Sequence, residues 1–360
     1  MLNNLTGLRF YAAFWVFLYH FFPVYTTLPK VGYFEIGYLG VDLFFILSGF
    51  ILTYVYYDKF FVNKVSVIDY WNFVVKRFAK IYPLHFIITL IFIPLLYGAK
   101  YIFNQTTVNI YSDTIIHNFL MIHAWNMSEN YSWNFPSWSI SAEWFAYLFL
   151  FAPLSFIYKF NKRFFVLLNI TILFTFIYYW ISIPNFTMDR YTMNGFPRII
   201  PEFILGVLVG LIKIRHTLSK SKATVVCLTS LSFLIITFYL EFYFQQLCII
   251  GFAGIILSLS YKTYFDIFFA SKKIIYLGNI SFAFYLTQFL SLIIYEQLFN
   301  ILFSGLKGNY YMILVQFVMA FGINYFFAAV AYKYFEEPLR IFLVKKMKIS
   351  KEYKRQSIAP

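Results

Sequence analysis

Apolar residues in this chain gather into long runs separated by short polar segments. A helix that crosses a bilayer needs about 20 mostly apolar residues. Measured by that length, runs near 5–22, 38–57, 81–98, 137–158, 164–182, 197–212, 223–240, 246–261, 276–298 and 310–334 qualify. The stretch Thr114–Trp125 is apolar but short, and reads as an interfacial or re-entrant helix. The pattern predicts an all-α polytopic membrane protein with about ten transmembrane helices.

The polar segments between the runs give an orientation. Cytoplasmic loops of membrane proteins carry an excess of Lys and Arg. With the N-terminus placed in the cytoplasm, 24 of the 29 cations fall on the inner side. The outer segments hold Lys30, Lys100, Arg190, Arg198 and Lys307. Both termini are therefore expected to be cytoplasmic. Residues 1–338 form one membrane domain and 339–360 a short basic cytoplasmic tail. Tyr33, Tyr38, Trp133, Trp138, Tyr310 and Tyr311 fall at outer ends of runs, where aromatic belts form.

Composition agrees with the pattern and excludes other classes. Hydrophobic residues make up 61% of the chain and charged ones only 12%, against about 25% charged in soluble domains. The charges behind the net +14 cluster in segments between runs, which suits a membrane protein's cytoplasmic loops and not a polynucleotide. Cys227 and Cys248 lie inside apolar runs without metal-ligand neighbours, so no metal site is expected. A cleavable signal peptide is not expected either, since the first run contains Arg9 and His20 and no basic segment precedes it. The cytoplasmic (inner) membrane of a cell is the expected location.

Ionisable residues inside spans are costly and mark cavities, partners or substrate paths. Here they are Arg9, His20, Asp42, His85, Glu143, Arg198 and Glu202, with Glu296 and Glu336 near span ends. Asp42, Glu143 and Glu202 enter from the outer side and His20 approaches it, so all four are expected in the outer half. Arg9 and His20 are eleven residues apart, close to three helical turns, and share a face about 16 Å apart. That line suits a long ligand with an anionic head inside and a reactive end near His20. Taken singly, each has a structural role open to it: His20 as a packing residue, Arg9 as a snorkelling anchor, Asp42 as a cap or ion-pair partner.

Taken together, these residues spell a family. Leu5-Thr6-Gly7-Leu8-Arg9 followed by His20 resembles the Arg-x10-His motif of the integral membrane acyltransferase 3 family. Gly40-Val41-Asp42-Leu43-Phe44-Phe45-Ile46-Leu47-Ser48-Gly49-Phe50 is similar to its second-span signature, and Arg77-Phe78-Ala79-Lys80-Ile81-Tyr82-Pro83 to its basic segment. Trp138-Ser139-Ile140-Ser141-Ala142-Glu143, then Arg198 with Glu202-Phe203 and Gly206, then Ile280 to Leu286, then Glu336-Glu337-Pro338, follow in the family's order. Many relatives have His where this chain has Gln288, and a second acidic residue where it has Trp144.

The resemblance implies transfer of an acyl group, commonly acetyl from acetyl-CoA, to a hydroxyl of an extracytoplasmic polysaccharide or its lipid-linked precursor. On that basis Arg9, Arg77 and Lys80 would cradle the phosphates of an acyl-CoA donor on the cytoplasmic side. His20 would act as general base or as acyl-accepting nucleophile. Asp42 or Glu143 would orient it, and Arg198 with Glu202 would contact the acceptor. The alternative from another class is a transporter of lipid-linked glycan, since intramembrane His, Asp and Glu also mark proton relays.

Overall fold

The structure is a computed structural model that describes residues 2–25, 32–105, 109–127, 130, 133–182, 194–239, 245–303, 306 and 310–347. Lys30, Arg190, Lys307 and the tail from residue 348 lie outside the described residues. All ten apolar runs fall on helices. The first three are α1 (Asn3–Tyr25), α2 (Gly40–Tyr56) and α3 (Val67–Tyr97). The short α4 (Thr114–Phe119) precedes α5 (Trp138–Phe145) and α6 (Phe151–Phe160), which a wide π-type turn at Ala146–Leu150 joins into one rod. Then come α7 (Lys162–Ser182), α8 (Phe196–Arg215), α9 (Lys220–Tyr239) and α10 (Cys248–Leu259). The chain closes with α11 (Lys272–Asn279), α12 (Ser281–Leu302), α13 (Ile313–Ala331) and α14 (Glu337–Lys346), the last two joined by a second wide turn at Tyr332–Glu336. Among the described residues there is no strand, only an isolated antiparallel bridge between Trp125 and Asn194.

The chain is thus an all-α, multi-pass membrane protein. Seven helical rods are long and apolar enough to cross a bilayer by length and composition. Helices α1, α8 and α10 are not among the seven. α10 has 12 residues, while α8 carries Arg198, Glu202, Lys213 and Arg215, and α1 carries Arg9, His20 and a polar first turn. Burial inside the bundle makes such residues tolerable. Two boundaries differ from expectation. α3 begins well before residue 81, because Ser66 accepts from the Asp69 amide at 3.2 Å and Asp69 reaches back to the Ser66 amide at 3.1 Å, a reciprocal cap. Residues 339–346, expected as tail, continue the last helix.

Two close approaches set the bundle. A side chain on Gly49 of α2 would fall on the Phe203 carbonyl of α8, and one on Gly206 of α8 on the Ile46 carbonyl of α2. The two backbones touch there, as small residues permit between membrane helices. The N-terminal end of α1 is docked likewise, with Gly278 against the Thr6 carbonyl and Gly7 against that of Phe269. Higher up, Phe14, Phe17 and Phe21 of α1 pack on Phe284, Phe317 and Phe321 of α12 and α13 with ring centroids 5.6–6.3 Å apart. α1 is therefore wedged between α2 and α12 with both ends of its Arg9–His20 line inside the bundle.

Candidate functional site

The Gly49–Gly206 contact brings the charged ends of α2 and α8 together. Arg198 donates through Nε to Asp42 Oδ1 at 3.1 Å and through a terminal nitrogen to Oδ2 at 2.6 Å. It also reaches the Tyr38 carbonyl at 3.4 Å and lies 4.7 Å from the centre of the Trp138 ring. Asp42 and Arg198 are both fully buried. Glu202, one turn along α8, is buried as completely, interacts with Asp42, and has neither oxygen in a hydrogen bond. The structure brings Asp42, Arg198 and Glu202 into one sealed cluster. Arg198 is committed to a neighbouring carboxylate.

A second constellation lies along α5. Tyr147 donates a short hydrogen bond to Glu143, and Ser48 of α2 lies 3.0 Å from the Tyr147 hydroxyl. The single phenolic hydrogen goes to Glu143, so Ser48 is the donor in the second bond. Arg77 reaches the Tyr56 hydroxyl at 3.4 Å, interacts electrostatically with Glu143 and Tyr147, and keeps its Nε unpartnered. Tyr147 was not apparent from the sequence. Its signal is its place four residues after Glu143, one turn along the same face.

The third constellation is at the N-terminal end of α1. Lys80 pairs with the fully buried Glu336, and Arg9 acts electrostatically on Lys80. Arg9 itself makes no hydrogen bond or ion pair among the described residues, and it is partly exposed. Arg77 sits one turn before Lys80 on α3, so the three expected donor-binding cations face one region. Next to it, Tyr56, Lys59, Lys64, Asp69, Asn72 and Lys76 line a polar hollow of about 410 Å³. Lys59 and Asp69 form an ion pair across it at 2.8 Å.

His20 stands apart from all of these charges. Its ring packs edge-on to Phe289 of α12, with centroids 6.0 Å apart, and beside Tyr19. It is partly exposed, and its buried Nδ1 has no hydrogen-bond partner. The polar side chain that interacts with it is Gln288, also outside hydrogen-bond geometry. Asp42 and Glu143, the carboxylates expected to orient His20, are engaged instead by Arg198 and Tyr147.

Further polar contacts brace this level. Tyr285 of α12 donates to the Pro136 carbonyl at 2.8 Å and lies 2.8 Å from the Ser139 hydroxyl. Asn134 donates to the Leu286 carbonyl at 3.1 Å. His85 donates from Nε2 to the Asn118 carbonyl at 2.8 Å and stacks on His123, with centroids 5.9 Å apart and planes 12° off parallel. His123 in turn lies 3.1 Å from the Ser137 hydroxyl. Burial, reinforced by His85, pushes the His123 imidazole down to about 3, so His123 packs as a neutral ring. Among the described residues no group of His, Cys, Asp and Glu has the arrangement to hold a metal ion.

Residues 2–333 match the sequence profile of the family described as "Acyltransferase domain" (Acyl_transf_3). The chain is also 34% identical over 161 residues to the acyltransferase MdmB of Streptomyces mycarofaciens. That stretch covers 41% of this chain and 38% of the relative, so the match spans well under half of either protein. No solved structure matches.

Proposed function

The chain belongs to the membrane acyltransferase family, and from that premise we propose that it transfers an acetyl group from acetyl-CoA to a hydroxyl of an extracytoplasmic polysaccharide or its lipid-linked precursor. The observation that carries the proposal is the line on α1. Arg9 and His20 share one face of α1, the cation makes no hydrogen bond or ion pair among the described residues, and the imidazole is partly exposed. Such cost inside a membrane is repaid by a ligand.

Acetyl-CoA is tetra-anionic at its nucleotide end and carries its thioester on a long arm. The nucleotide end occupies the basic region formed by Arg9, Arg77 and Lys80, with the polar hollow around Tyr56 as its mouth. Arg77, with Nε unspent, offers a fork for phosphate oxygens. The arm then runs along α1 and presents the thioester at His20. His20 Nε2 takes the proton of the acceptor hydroxyl, the oxygen bonds to the acyl carbon, the carbon–sulfur bond breaks, and the thiolate leaves and is protonated. Held together along α1, base, hydroxyl and thioester react as if at high local concentration.

The test uses the full-length protein in lipid vesicles with acetyl-CoA and a glycan acceptor. Replacing His20 with Ala should abolish CoA release and acceptor acetylation while leaving membrane abundance unchanged. Normal turnover by that variant would sink the proposal.

A further inference from the structure

We infer that Gln288 is the positioning partner of His20, accepting from Nδ1–H through its amide oxygen so that Nε2 is held toward the substrates. The inference rests on the proposed role of His20 as the base.

Among the described residues, Nδ1 of His20 and both Oε1 and Nε2 of Gln288 are buried without a hydrogen-bond partner. Gln288 is wholly buried in α12, its side chain interacts with His20, and the adjacent Phe289 packs against the imidazole. Leaving a buried donor or acceptor unmade costs about 1–3 kcal/mol per group. A donor and an acceptor that already face one another need only side-chain rotation to meet. Imidazole chemistry then settles the roles. If Oε1 accepts from Nδ1–H, Nε2 is left bare and basic.

The usual candidates for this task are spent. Asp42 gives both oxygens to Arg198, and Glu143 takes the Tyr147 hydroxyl. The imidazole is faced by Tyr19 from α1 and by Gln288 and Phe289 from α12, and no charged side chain among the described residues acts on it. The helix that carries Gln288 is well anchored. Tyr285, one turn earlier on the same face, is tied to Pro136, and Thr287 and Ser291 donate to Asn324 of α13 at 3.1 and 3.0 Å. α12 therefore cannot slide past His20. A neutral amide fixes the tautomer as a carboxylate would, but adds no charge to stabilise the imidazolium.

Two substitutions test this in full-length protein in vesicles. Gln288→Leu should lower kcat at least tenfold, with KM for donor and acceptor unchanged within about twofold. Gln288→Glu should keep turnover but move the acidic limb of the pH–rate profile upward by about one unit, because a carboxylate favours the imidazolium and the base is lost at higher pH. A readout that needs no turnover is carbethoxylation of His20 by diethyl pyrocarbonate, followed by mass spectrometry. Its pH midpoint should rise in Gln288→Glu, which also serves if Gln288→Leu does not fold. An unmoved midpoint in Gln288→Glu, or full kcat in Gln288→Leu, overturns the inference. Failure of the His20→Ala test would instead remove the proposed function, and the two outcomes are separable because the midpoint reports the contact alone.

Discussion

The Asp42–Arg198 pair and the Arg9–His20 line lie within one bundle but treat their charges in opposite ways. Asp42 and Arg198 saturate one another with two hydrogen bonds, are fully buried, and are clamped where α2 and α8 touch backbone to backbone. Arg9 and His20 are only partly buried and have no hydrogen-bond partner among the described residues. Both sets are intramembrane ions at motif positions, so sequence patterns give them equal weight. The contrast teaches that ionisable residues in a membrane bundle serve two ends. Those that spend their charge on each other specify the packing. Those left unspent are the ones available to a ligand.

Breaking the saturated pair should have the largest effect, and it should be on folding. Asp42→Asn removes the carboxylate paired with the Arg198 guanidinium and should cost about 3–5 kcal/mol, read as lost abundance or a lower unfolding temperature in detergent. A well-folded, fully active Asp42→Asn protein would erase the distinction drawn above. Gly206→Leu forces a side chain into the α2–α8 contact and should cost about 1–3 kcal/mol by the same measurement. The unspent line predicts the reverse pattern. Arg9→Ala should leave stability within about 0.5 kcal/mol, yet raise KM for acetyl-CoA by roughly 10- to 100-fold, the worth of a charge-assisted hydrogen bond. An unchanged donor KM removes Arg9 from the cradle. Tyr147→Phe should give the smallest effect, a loss of about 1 kcal/mol, or roughly fivefold, in kcat/KM as Glu143 loses its clamp. It sharpens the comparison by asking which class Glu143 belongs to.

Much of the architecture was legible because hydrophobic run length is a direct physical requirement of lipid. Every predicted run lies on a helix. The site was legible only as a set of residues. Sequence order says that Asp42, Glu143 and His20 approach similar depth, but depth is one coordinate, and the azimuth of each helix decides who meets whom. That azimuth comes from Gly49 and Gly206, which rotate Asp42 toward Arg198 and away from His20. Tyr147 carries no charge to stand out in an apolar run, and Gln288 stands out only as the position where many relatives have His. Only burial without a partner, or a bond to Glu143, reveals them. His85 stood out as an intramembrane ion, and the structure spends it on Asn118 and His123.

The wide turn at Ala146–Leu150 bears on how this rod can change over time. A π-type turn holds one residue more than the α-helical path it replaces, so it acts as a phase shifter between Glu143 above and Phe151 below. Deleting a single residue there would restore a regular helix and rotate one half against the other by roughly 100°. Tyr147 would then leave Ser48, or Phe151 would leave its stack with Phe73. Point substitutions in this segment are cheap by comparison, whereas its length is under strict constraint. Variation among related chains should therefore be rich in replacements and poor in insertions or deletions at these five positions.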